Sequence, residues 1–561
     1  MRVTWISTIN GFLWYYFCLS HQRGEPMPLI LPSEPRFKLS RYERADGHSM
    51  TKTFSESDTK QDLLIRSLLD PSAYVHSVVE PIVLHETHIS WVLLAGNFAY
   101  KIKKPIITDF LDYGTLAKRH HACCEEFRLG SRYAEGMYLD IVPITFEDGQ
   151  IQMDGDAQPI EFAVRMRRFP EDSLLSQQLQ ADLVTPENIA QLAIKIAGFH
   201  GLALKLEEPR AEMVSRILAQ ANENIELLQS EPLLKQDPVL RRLDSWTQTY
   251  FANHESLFRS RLYEGFVREC HGDLHCDNIV LWSGRFSPFD GIEFNSEYSW
   301  IDVISDYSFL VMDLQERGRQ DLASCFLNAY LEQTGDYRSL SLLRWYMVYR
   351  ALVRAKVAVI RARQVDHVLR LRQEQLDPAR NYLRLADKLT QPCKRHLWIT
   401  HGVSGSGKTT GSQRLIQKIG AIRIRSDIER KRLFKTSKAT PPSLEFGQGM
   451  YSPTGSEATY RMLLVLAKDV LQANFPVVVD ATFLKNADRQ RFQLLAKTAG
   501  ADFSIIDFKS EQETLRQRIA HRTLAQNDAS DATAAILANQ LLVQEPLTEA
   551  ELAMTIDAGT V

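Results

Sequence analysis

The chain lacks the features that mark a membrane protein, a disulfide-bonded protein or a low-complexity assembly. Among its 561 residues there are only 27 glycines and 22 prolines, too few for a collagen-like or low-complexity chain. No run of about 18 apolar residues is present, which a transmembrane helix would need. The seven cysteines are few, odd in number and without a C-x-x-C pair, which argues against a disulfide framework and a zinc ribbon. The sequence therefore predicts a cytoplasmic protein without a membrane partner.

An excess of charge of one sign is absent as well. The 66 Lys and Arg residues are balanced by 69 Asp and Glu residues, which leaves a net charge of −3. This balance excludes a strongly basic nucleic-acid coat, so we expect no stable DNA binding, although it does not exclude a local basic groove. Basic residues between Arg344 and Arg363 alternate with apolar ones, which favours a solvated amphipathic helix over an RNA-binding stripe. The sequence does not indicate an oligomeric state.

The first 49 residues differ from the rest of the chain. Residues 11–19 are apolar, but only Arg2 precedes them and no A-x-A cleavage site follows. Residues 32–49 are polar and show no periodicity. This pattern favours a disordered extension, or a misassigned start with Met50 as the working start, over an export signal.

Periodicity divides the remainder of the chain into several parts. They are a strand-rich α+β lobe at 50–168, a helical lobe at 169–390, a linker at 391–395 and an alternating strand–helix part at 396–561. Gly96-Asn97 predicts a hairpin turn between two strands of the first lobe. Strands over 266–301 interrupt the helical lobe, and a long helix is predicted over 337–389. Alternating strands and helices in the last part predict an α/β domain with a parallel sheet.

The strongest motif is a phosphate-binding loop of the form G-x-x-x-x-G-K-[ST]. It follows an apolar strand and consists of Gly402, Val403, Ser404, Gly405, Ser406, Gly407, Lys408 and Thr409, with Thr410 next. Glycines let backbone N–H groups converge on phosphate oxygens, and the following helix N-terminus favours anions. Lys408 can reach the β- and γ-phosphates and Thr409 can ligate Mg²⁺. Asp480, at the end of the strand Pro-Val-Val-Val-Asp, is the predicted second metal ligand.

Two further groups are candidates for the reaction at this loop. Asp427 follows the predicted second strand, where it can accept a proton from a substrate hydroxyl, and Arg430 can hold an anionic group. The alternative is that Ser426 or Asp427 caps the next helix. Arg518 and Arg522 are four residues apart on one helical face. They could form a lid that neutralises charge on the phosphates, or the face could be a solvated basic surface.

A second set of phosphotransfer residues lies in the helical lobe. His271, Asp273 and Asn278 match the H-x-D-x-x-x-x-N catalytic loop of kinases, in which the Asp takes the acceptor proton and the Asn binds Mg²⁺. Asp290, within Phe-Asp-Gly, takes the place of the metal-binding Asp of the D-F-G turn. Asp302 and Asp306 are expected to cap a helix or to brace the catalytic loop.

The strand-rich lobe should supply a lysine for the α- and β-phosphates. Lys101 in Ala-Tyr-Lys is the predicted residue, with Lys103 as the alternative on the same strand face. Its partner carboxylate is predicted to be Glu126, with Glu125 as the alternative. Only Gly96 is present where kinases have three glycines over the phosphates.

These motifs resemble two known groups of phosphotransferases. Residues 396–561 resemble the small-molecule and polynucleotide-end kinase branch of P-loop proteins, including zeta-toxin-like and polynucleotide-kinase-like domains. Residues 80–390 resemble the aminoglycoside phosphotransferase-like branch of the kinase fold. The fusion resembles a bacterial family of two-domain proteins.

The resemblance implies an α+β protein-kinase-like bilobal domain followed by an α/β P-loop NTPase domain. It also implies ATP and Mg²⁺ in both halves, with transfer to a small-molecule or nucleic-acid-end acceptor. The alternative is a regulatory protein whose kinase-like half binds ATP without transfer. The weak glycine-rich loop favours that alternative, and the intact set of His271, Asp273, Asn278 and Asp290 opposes it.

Overall fold

The computed structural model describes most of the chain after residue 59. The described residues are 60–79, 81–87, 89–108, 111–364, 374–434, 452–525 and 534–557, and the side chains of 520–525, 534 and 535 are excepted. The extension predicted over residues 1–49 therefore lies outside them. Within the described residues, no helix has the length and apolar character needed to cross a membrane.

The chain forms two compact units. The first contains residues up to 131 together with 135–169, and the second contains 132–134 and everything from 170 onward. The helical lobe and the P-loop region thus belong to one unit by their contacts. The predicted boundary between them at 391–395 stays a prediction.

The first unit is built on a six-stranded antiparallel sheet. Its order is β1-β2-β3-β8-β6-β7. The elements are α1 (Lys60–Leu68), β1 (Val83–Glu86), β2 (Ser90–Ala95), β3 (Phe98–Lys103), β4 (Ile107–Thr108), β5 (Leu111–Asp112), α2 (Leu116–Tyr133), β6 (Tyr138–Glu147), β7 (Gln150–Met153) and β8 (Pro159–Arg167). The predicted hairpin is confirmed, because β2 pairs with β3 across a turn in which Gly96 has a φ of +58°. Leu93 and Ile102 lie in the hydrophobic core of this sheet.

The second unit begins with the helical region. Its elements are α3 (Leu175–Gln180), α4 (Pro186–Leu202), α5 (Glu212–Gln229), α6 (Pro238–Tyr263), β9 (Val267–Glu269), β10 (Ile279–Trp282), β11 (Arg285–Pro288), α7 (Ser296–Ser299), β12 (Trp300–Asp302), α8 (Val303–Glu316), α9 (Gln320–Thr334), α10 (Leu340–Gln364) and α11 (Asp377–Thr390). The short strands form two antiparallel pairs, β10 with β11 and β9 with β12. Helix α9 packs against α4 and also against the P-loop region.

The described residues of the long helix predicted over 337–389 include α10 and α11, and residues 365–373 lie outside the described part. The prediction of a solvated basic face on it is wrong. Arg344, Arg350 and Lys356 are buried, with 7%, 3% and 3% of their surface exposed. Their polar atoms bond to groups of distant segments, which allows α10 to lie in the interior.

The P-loop region is a five-stranded, fully parallel sheet in the order β14-β15-β13-β16-β17. Its elements are β13 (His396–His401), α12 (Lys408–Ile419), β14 (Ile422–Arg425), α13 (Ser426–Leu433), α14 (Pro453–Gln472), β15 (Val477–Asp480), α15 (Asn486–Thr498), β16 (Asp502–Asp507), α16 (Gln512–Ala525), α17 (Ala534–Val543), α18 (Glu549–Leu552) and β17 (Thr555–Asp557). Val477 and Val479 are fully buried, as expected for strands that are covered on both faces. The predicted α/β fold with a parallel sheet is confirmed.

Candidate functional sites

The phosphate-binding loop joins the central strand β13 to α12. The backbone φ values of Gly402, Gly405 and Gly407 are +136°, +86° and +95°. Residues other than glycine rarely adopt such values. A Cβ atom on Gly402 would lie 2.7 Å from the carbonyl oxygen of Phe508. No side chain caps the N-terminus of α12, so its first-turn N–H groups face the loop. The loop therefore has the backbone of an anion cradle at the carboxyl end of a parallel sheet.

The metal side of this loop is formed by α12 and β15. Asp480 ends β15 with 5% of its surface exposed, and its carboxylate accepts a hydrogen bond from the Ser412 hydroxyl at 3.2 Å. Thr409 lies at the start of α12, one turn before Ser412, and Thr410 beside it is exposed. The Lys408 Nζ atom donates to the carbonyl oxygen of Val403 at 2.7 Å. Hydroxyl and carboxylate oxygens are the donors that Mg²⁺ prefers, so Thr409 and Asp480 fit this ion.

Asp427 lies in the first turn of α13, directly after β14. The alternative that Ser426 or Asp427 caps this helix is wrong, because the cap residue is Arg425 and no side chain makes the cap bond. Burial raises the pKa of Asp427, and the positive charges of Arg430 and Arg425 only partly oppose that shift. A carboxylate with a raised pKa is a better proton acceptor, which suits a general base.

Arg518 contacts the loop directly. Its guanidinium donates to the carbonyl oxygen of Gly405 at 3.1 Å. The side chain of Arg522 lies outside the described residues, although the residue belongs to α16. On the same side, the N–H of Ser404 donates to the Gln540 side chain at 2.7 Å. Helices α16 and α17 therefore both reach the loop, and Gln540 is a contact that sequence reasoning missed.

A cavity of about 410 Å³ adjoins the first residues of the loop. Its walls include Gly402, Val403, Phe508 and Leu541. His401 also lines it and hydrogen-bonds to Asp507 at 2.8 Å. The cavity is an open space next to the phosphate cradle.

The kinase-like catalytic loop brings its predicted residues together. The Asn278 Nδ2 atom donates to the Asp273 carboxylate and to its backbone carbonyl, both at 3.0 Å. The Asp273 N–H donates to His271 Nδ1 at 3.3 Å. Burial opposes ionisation of Asp273, but His275, Arg354 and His271 outweigh it and hold the pKa of this carboxyl below its ordinary value. Asp273 is thus ionised and oriented by Asn278.

Asp290 lies beside this loop. The N–H of Phe289 donates to the Asn278 carbonyl oxygen at 3.0 Å, which aligns the two segments. His271 Nε2 bonds to the carbonyl oxygen of Phe289 at 2.8 Å, and burial lowers the pKa of His271. Asp290 has a φ of +61°. Asn278 Oδ1 and the Asp290 carboxylate are oxygen donors that fit Mg²⁺.

Two carboxylates of α8 hold the backbone of the catalytic loop. Asp306 accepts from the N–H groups of His271 and Gly272 at 3.2 and 2.8 Å. Asp313, seven residues later on the same helix, accepts from the N–H of Cys276 at 2.9 Å. Asp302 instead caps α8 by accepting from the N–H of Ile304. The two expected roles are therefore divided between Asp302 and Asp306.

Several supporting residues were missed by the sequence reasoning. Asp313 could have been found from its spacing, since seven residues are about two helical turns from Asp306. His200 bonds to Asp306 at 3.0 Å, and Arg350 donates to the carbonyl oxygen of Gly272 at 3.1 Å. Both are far from the motif in sequence, and no local signal marks them.

The lysine and glutamate predicted for the first unit are joined there. The Nζ atoms of Lys101 and Lys103 lie 2.7 and 2.6 Å from the two carboxylate oxygens of Glu126. Burial opposes ionisation of Glu126, but the two lysines outweigh it and lower its pKa to about 2. Glu125 pairs instead with Arg128. Glu126 is therefore the carboxylate of this group, and both lysines contact it.

The helical region contains a larger cavity of about 650 Å³. Aromatic side chains line much of it, namely Phe258, Tyr298, Trp300, Tyr346 and Tyr349. Arg350 also lines it and links it to the catalytic loop through Gly272. At the wall, Glu297 pairs with Arg216 at 3.1 Å. The cavity wall thus carries an acidic and a basic side chain that neutralise each other.

The fold and the two sites define the chain as kinase-like in its N-terminal part, followed by a P-loop kinase domain. The family model described as an AAA domain matches residues 397–547. An uncharacterized protein of Mycobacterium tuberculosis, Rv2004c, is 32% identical over 476 residues, which cover 84% of this chain and 92% of that protein. The uncharacterized protein Mb2027c of Mycobacterium bovis matches with the same identity and coverage. The chain belongs to the family of these mycobacterial proteins.

Solved structures resemble the two parts separately. A choline/ethanolamine kinase family protein from Mesorhizobium loti is 13% identical and covers 58% of this chain and 99% of its own, with a TM-score of 0.35. A putative kinase from Chloroflexus aurantiacus is 23% identical and covers 29% of this chain and 88% of its own, with a TM-score of 0.24. Both TM-scores are below 0.5, so these likenesses do not assign an activity to this chain.

Proposed function

We propose that the protein is a cytoplasmic ATP-dependent phosphotransferase with two nucleotide-binding modules. Each module would transfer the γ-phosphate of ATP to a hydroxyl of a small molecule or a nucleic-acid end. The observation that carries this proposal is that, in each module, a side-chain hydrogen bond holds a buried carboxylate of the predicted site in place. Asp273 lies against Asn278 in one module, and Asp480 lies against Ser412 of the loop helix in the other.

In the P-loop module the loop would bind the ATP phosphates through its backbone N–H groups and Lys408. Thr409 and Asp480 would hold Mg²⁺, which would neutralise phosphate charge. Asp427 would take the proton of the acceptor hydroxyl as its oxygen bonds to the γ-phosphorus. The bond from the γ-phosphorus to the bridging oxygen breaks and ADP leaves. Arg430, Arg518 and Arg522 would stabilise charge on the transferring group.

In the kinase-like module Asp273 would accept the acceptor proton, and Asn278 would keep its carboxylate in place. The same γ-phosphorus bond forms and the same bridging bond breaks. Asn278 and Asp290 would hold the metal, while Lys101, which pairs with Glu126, would bind the α- and β-phosphates. Asp306 and Asp313 fix the loop backbone, so little reorganisation is needed during transfer.

The aromatic cavity supports a small-molecule acceptor for the kinase-like module. Its volume of about 650 Å³ lies within the range of small-ligand sites. Tyr346 and Trp300 offer flat apolar walls, and Arg350 connects the cavity to the residue preceding Asp273.

A nucleotide-sensing protein is the second candidate. The single glycine at Gly96 favours it, since little of the kinase glycine-rich loop is present. In that case only the P-loop module would transfer or hydrolyse phosphate.

Two single variants test the proposal. Lys408→Ala and Asp273→Ala should each remove one of two separable ATP-consuming activities, measured by transfer of labelled γ-phosphate into an extract of metabolites and RNA. The exposed Lys418→Ala and Glu226→Ala variants serve as matched controls and should keep both activities. Unchanged turnover in both test variants would refute the two-site proposal, whereas a loss in Lys408→Ala alone would favour the sensing protein.

A further inference from the structure

Helix α9 of the helical region contacts the P-loop region at β14. The Asn328 side chain donates to the carbonyl oxygen of Ala421 at 3.0 Å and accepts from the N–H of Arg423 at 2.6 Å. One turn later, a carboxylate oxygen of Glu332 lies 2.9 Å from Arg423 Nε and 2.8 Å from its Nη2. Glu332, which lies outside the P-loop motifs, therefore neutralises the charge of Arg423 in the P-loop region.

That arginine touches the metal side of the P-loop. Arg423 is buried, with 6% of its surface exposed. Its Nη1 atom donates to the carbonyl oxygen of Thr409 at 3.2 Å and lies 3.4 Å from the Ser412 hydroxyl. Ser412 in turn donates to the Asp480 carboxylate. A continuous series of contacts thus leads from Glu332 to the predicted metal ligands.

The same end of α9 also supports the helix that carries Asp427. The Tyr337 hydroxyl, just after α9, donates to Glu429 at 3.3 Å. Arg432 donates to the carbonyl oxygen of Glu332 at 2.6 Å and also pairs with Glu429. Both flanks of the P-loop site therefore rest on one segment of the helical region.

We propose that Glu332 is a positioning residue for the P-loop site, which orients Arg423 and keeps its charge from competing with the metal for Asp480. This inference rests on the proposed nucleotide site at Lys408. A buried guanidinium without its carboxylate seeks another anion, and the nearest chain of contacts leads through Ser412 to Asp480. Loss of the Glu332 charge should therefore weaken metal-dependent binding more than binding of the nucleotide alone.

The test measures ADP affinity of the full chain by titration of a fluorescent ADP analogue, with Mg²⁺ and with EDTA. The relevant binding is the component that Lys408→Ala removes. In Glu332→Gln we expect Mg²⁺-dependent affinity to fall about tenfold, within the range of site-to-site coupling, and metal-free affinity to change less than about threefold. Asp321→Asn is the matched control, since it removes a more exposed carboxylate of the same helix, which pairs with Arg319.

The double variant Glu332→Gln/Arg423→Gln removes both charges and should recover most of the Mg²⁺-dependent affinity. It also keeps the test decisive if the single variant does not fold. Wild-type affinity in Glu332→Gln, or equal loss with and without Mg²⁺, would overturn the inference. Absence of any Lys408-dependent binding in the wild type would instead overturn the proposed function.

Discussion

Lys356 on α10 makes the stability of the second unit depend on pH in a calculable way. Its side chain is buried and donates to Asn224 Oδ1 at 2.5 Å. Burial lowers the pKa of Lys356 from 10.5 to about 7, although Glu223 opposes the shift. Between pH 7 and 10.5 the unfolded chain therefore binds more protons than the folded chain, so stability rises with pH.

The magnitude follows from the size of the shift. One pKa unit corresponds to about 1.4 kcal/mol, so the full shift corresponds to roughly 5 kcal/mol as an upper value. The destabilisation is fully present below pH 7 and disappears as the pH rises through 10.5. Lys356→Met removes the titrating group, so the variant should be more stable than the wild type at pH 6 and lose that advantage towards pH 10.

The assay is the urea midpoint of the full chain, measured for wild type and variant from pH 6 to 10. Other titrating groups cancel because only the difference between the two proteins is interpreted. Lys388→Met, at an exposed site of α11, is the control and should show no pH-dependent difference. Parallel pH profiles for wild type and Lys356→Met would refute the reasoning.

Two further predictions concern buried charges of the second unit. Because burial raises the pKa of Asp427, the Lys408-dependent transfer rate should decline with falling pH at values above those of an ordinary carboxyl group. Asp427→Asn should lower that rate by about 10²–10⁴-fold and remove the acidic decline, and a decline retained in the variant would contradict a base role. Arg261, with a side chain 2% exposed, pairs with Asp302 and Asp336, so Arg261→Leu should lower the free energy of unfolding by about 3–5 kcal/mol in urea titrations. Because burial raises the pKa of Asp336, that loss should shrink on acidification as this carboxylate becomes protonated, and a pH-independent loss would contradict the charge argument.

The contiguous motifs could be predicted from the sequence because their spacing encodes their geometry. The P-loop needs glycines at fixed positions, and Gly402 shows why, since a Cβ there would meet the Phe508 carbonyl oxygen. Likewise, Asn278 follows Asp273 by five positions, and the turn between them returns the amide to the carboxylate. Such local arrangements depend little on the remainder of the fold.

Contacts between residues distant in sequence could not be predicted from local sequence patterns. The sequence predicts a solvated basic face at Arg350 and Lys356, because nothing nearby in sequence indicates their partners Gly272 and Asn224. The alternative of a cap by Ser426 or Asp427 is wrong for a different reason. The extended backbone of Arg425 leads directly into the helix, so Ser426 already lies inside it.

The bonds of Asn328 have a consequence for the solubility of the P-loop region. Among the strands that the structure describes, β14 is the terminal strand of its sheet, and terminal strands expose backbone groups that can pair with another chain. The Asn328 side chain occupies the Ala421 carbonyl and the Arg423 N–H as a neighbouring strand would. Helix α9 therefore shields this edge from aggregation. A fragment that begins at residue 396 would lack α9, so the backbone groups at the edge of β14 would be free to pair with a strand of another chain.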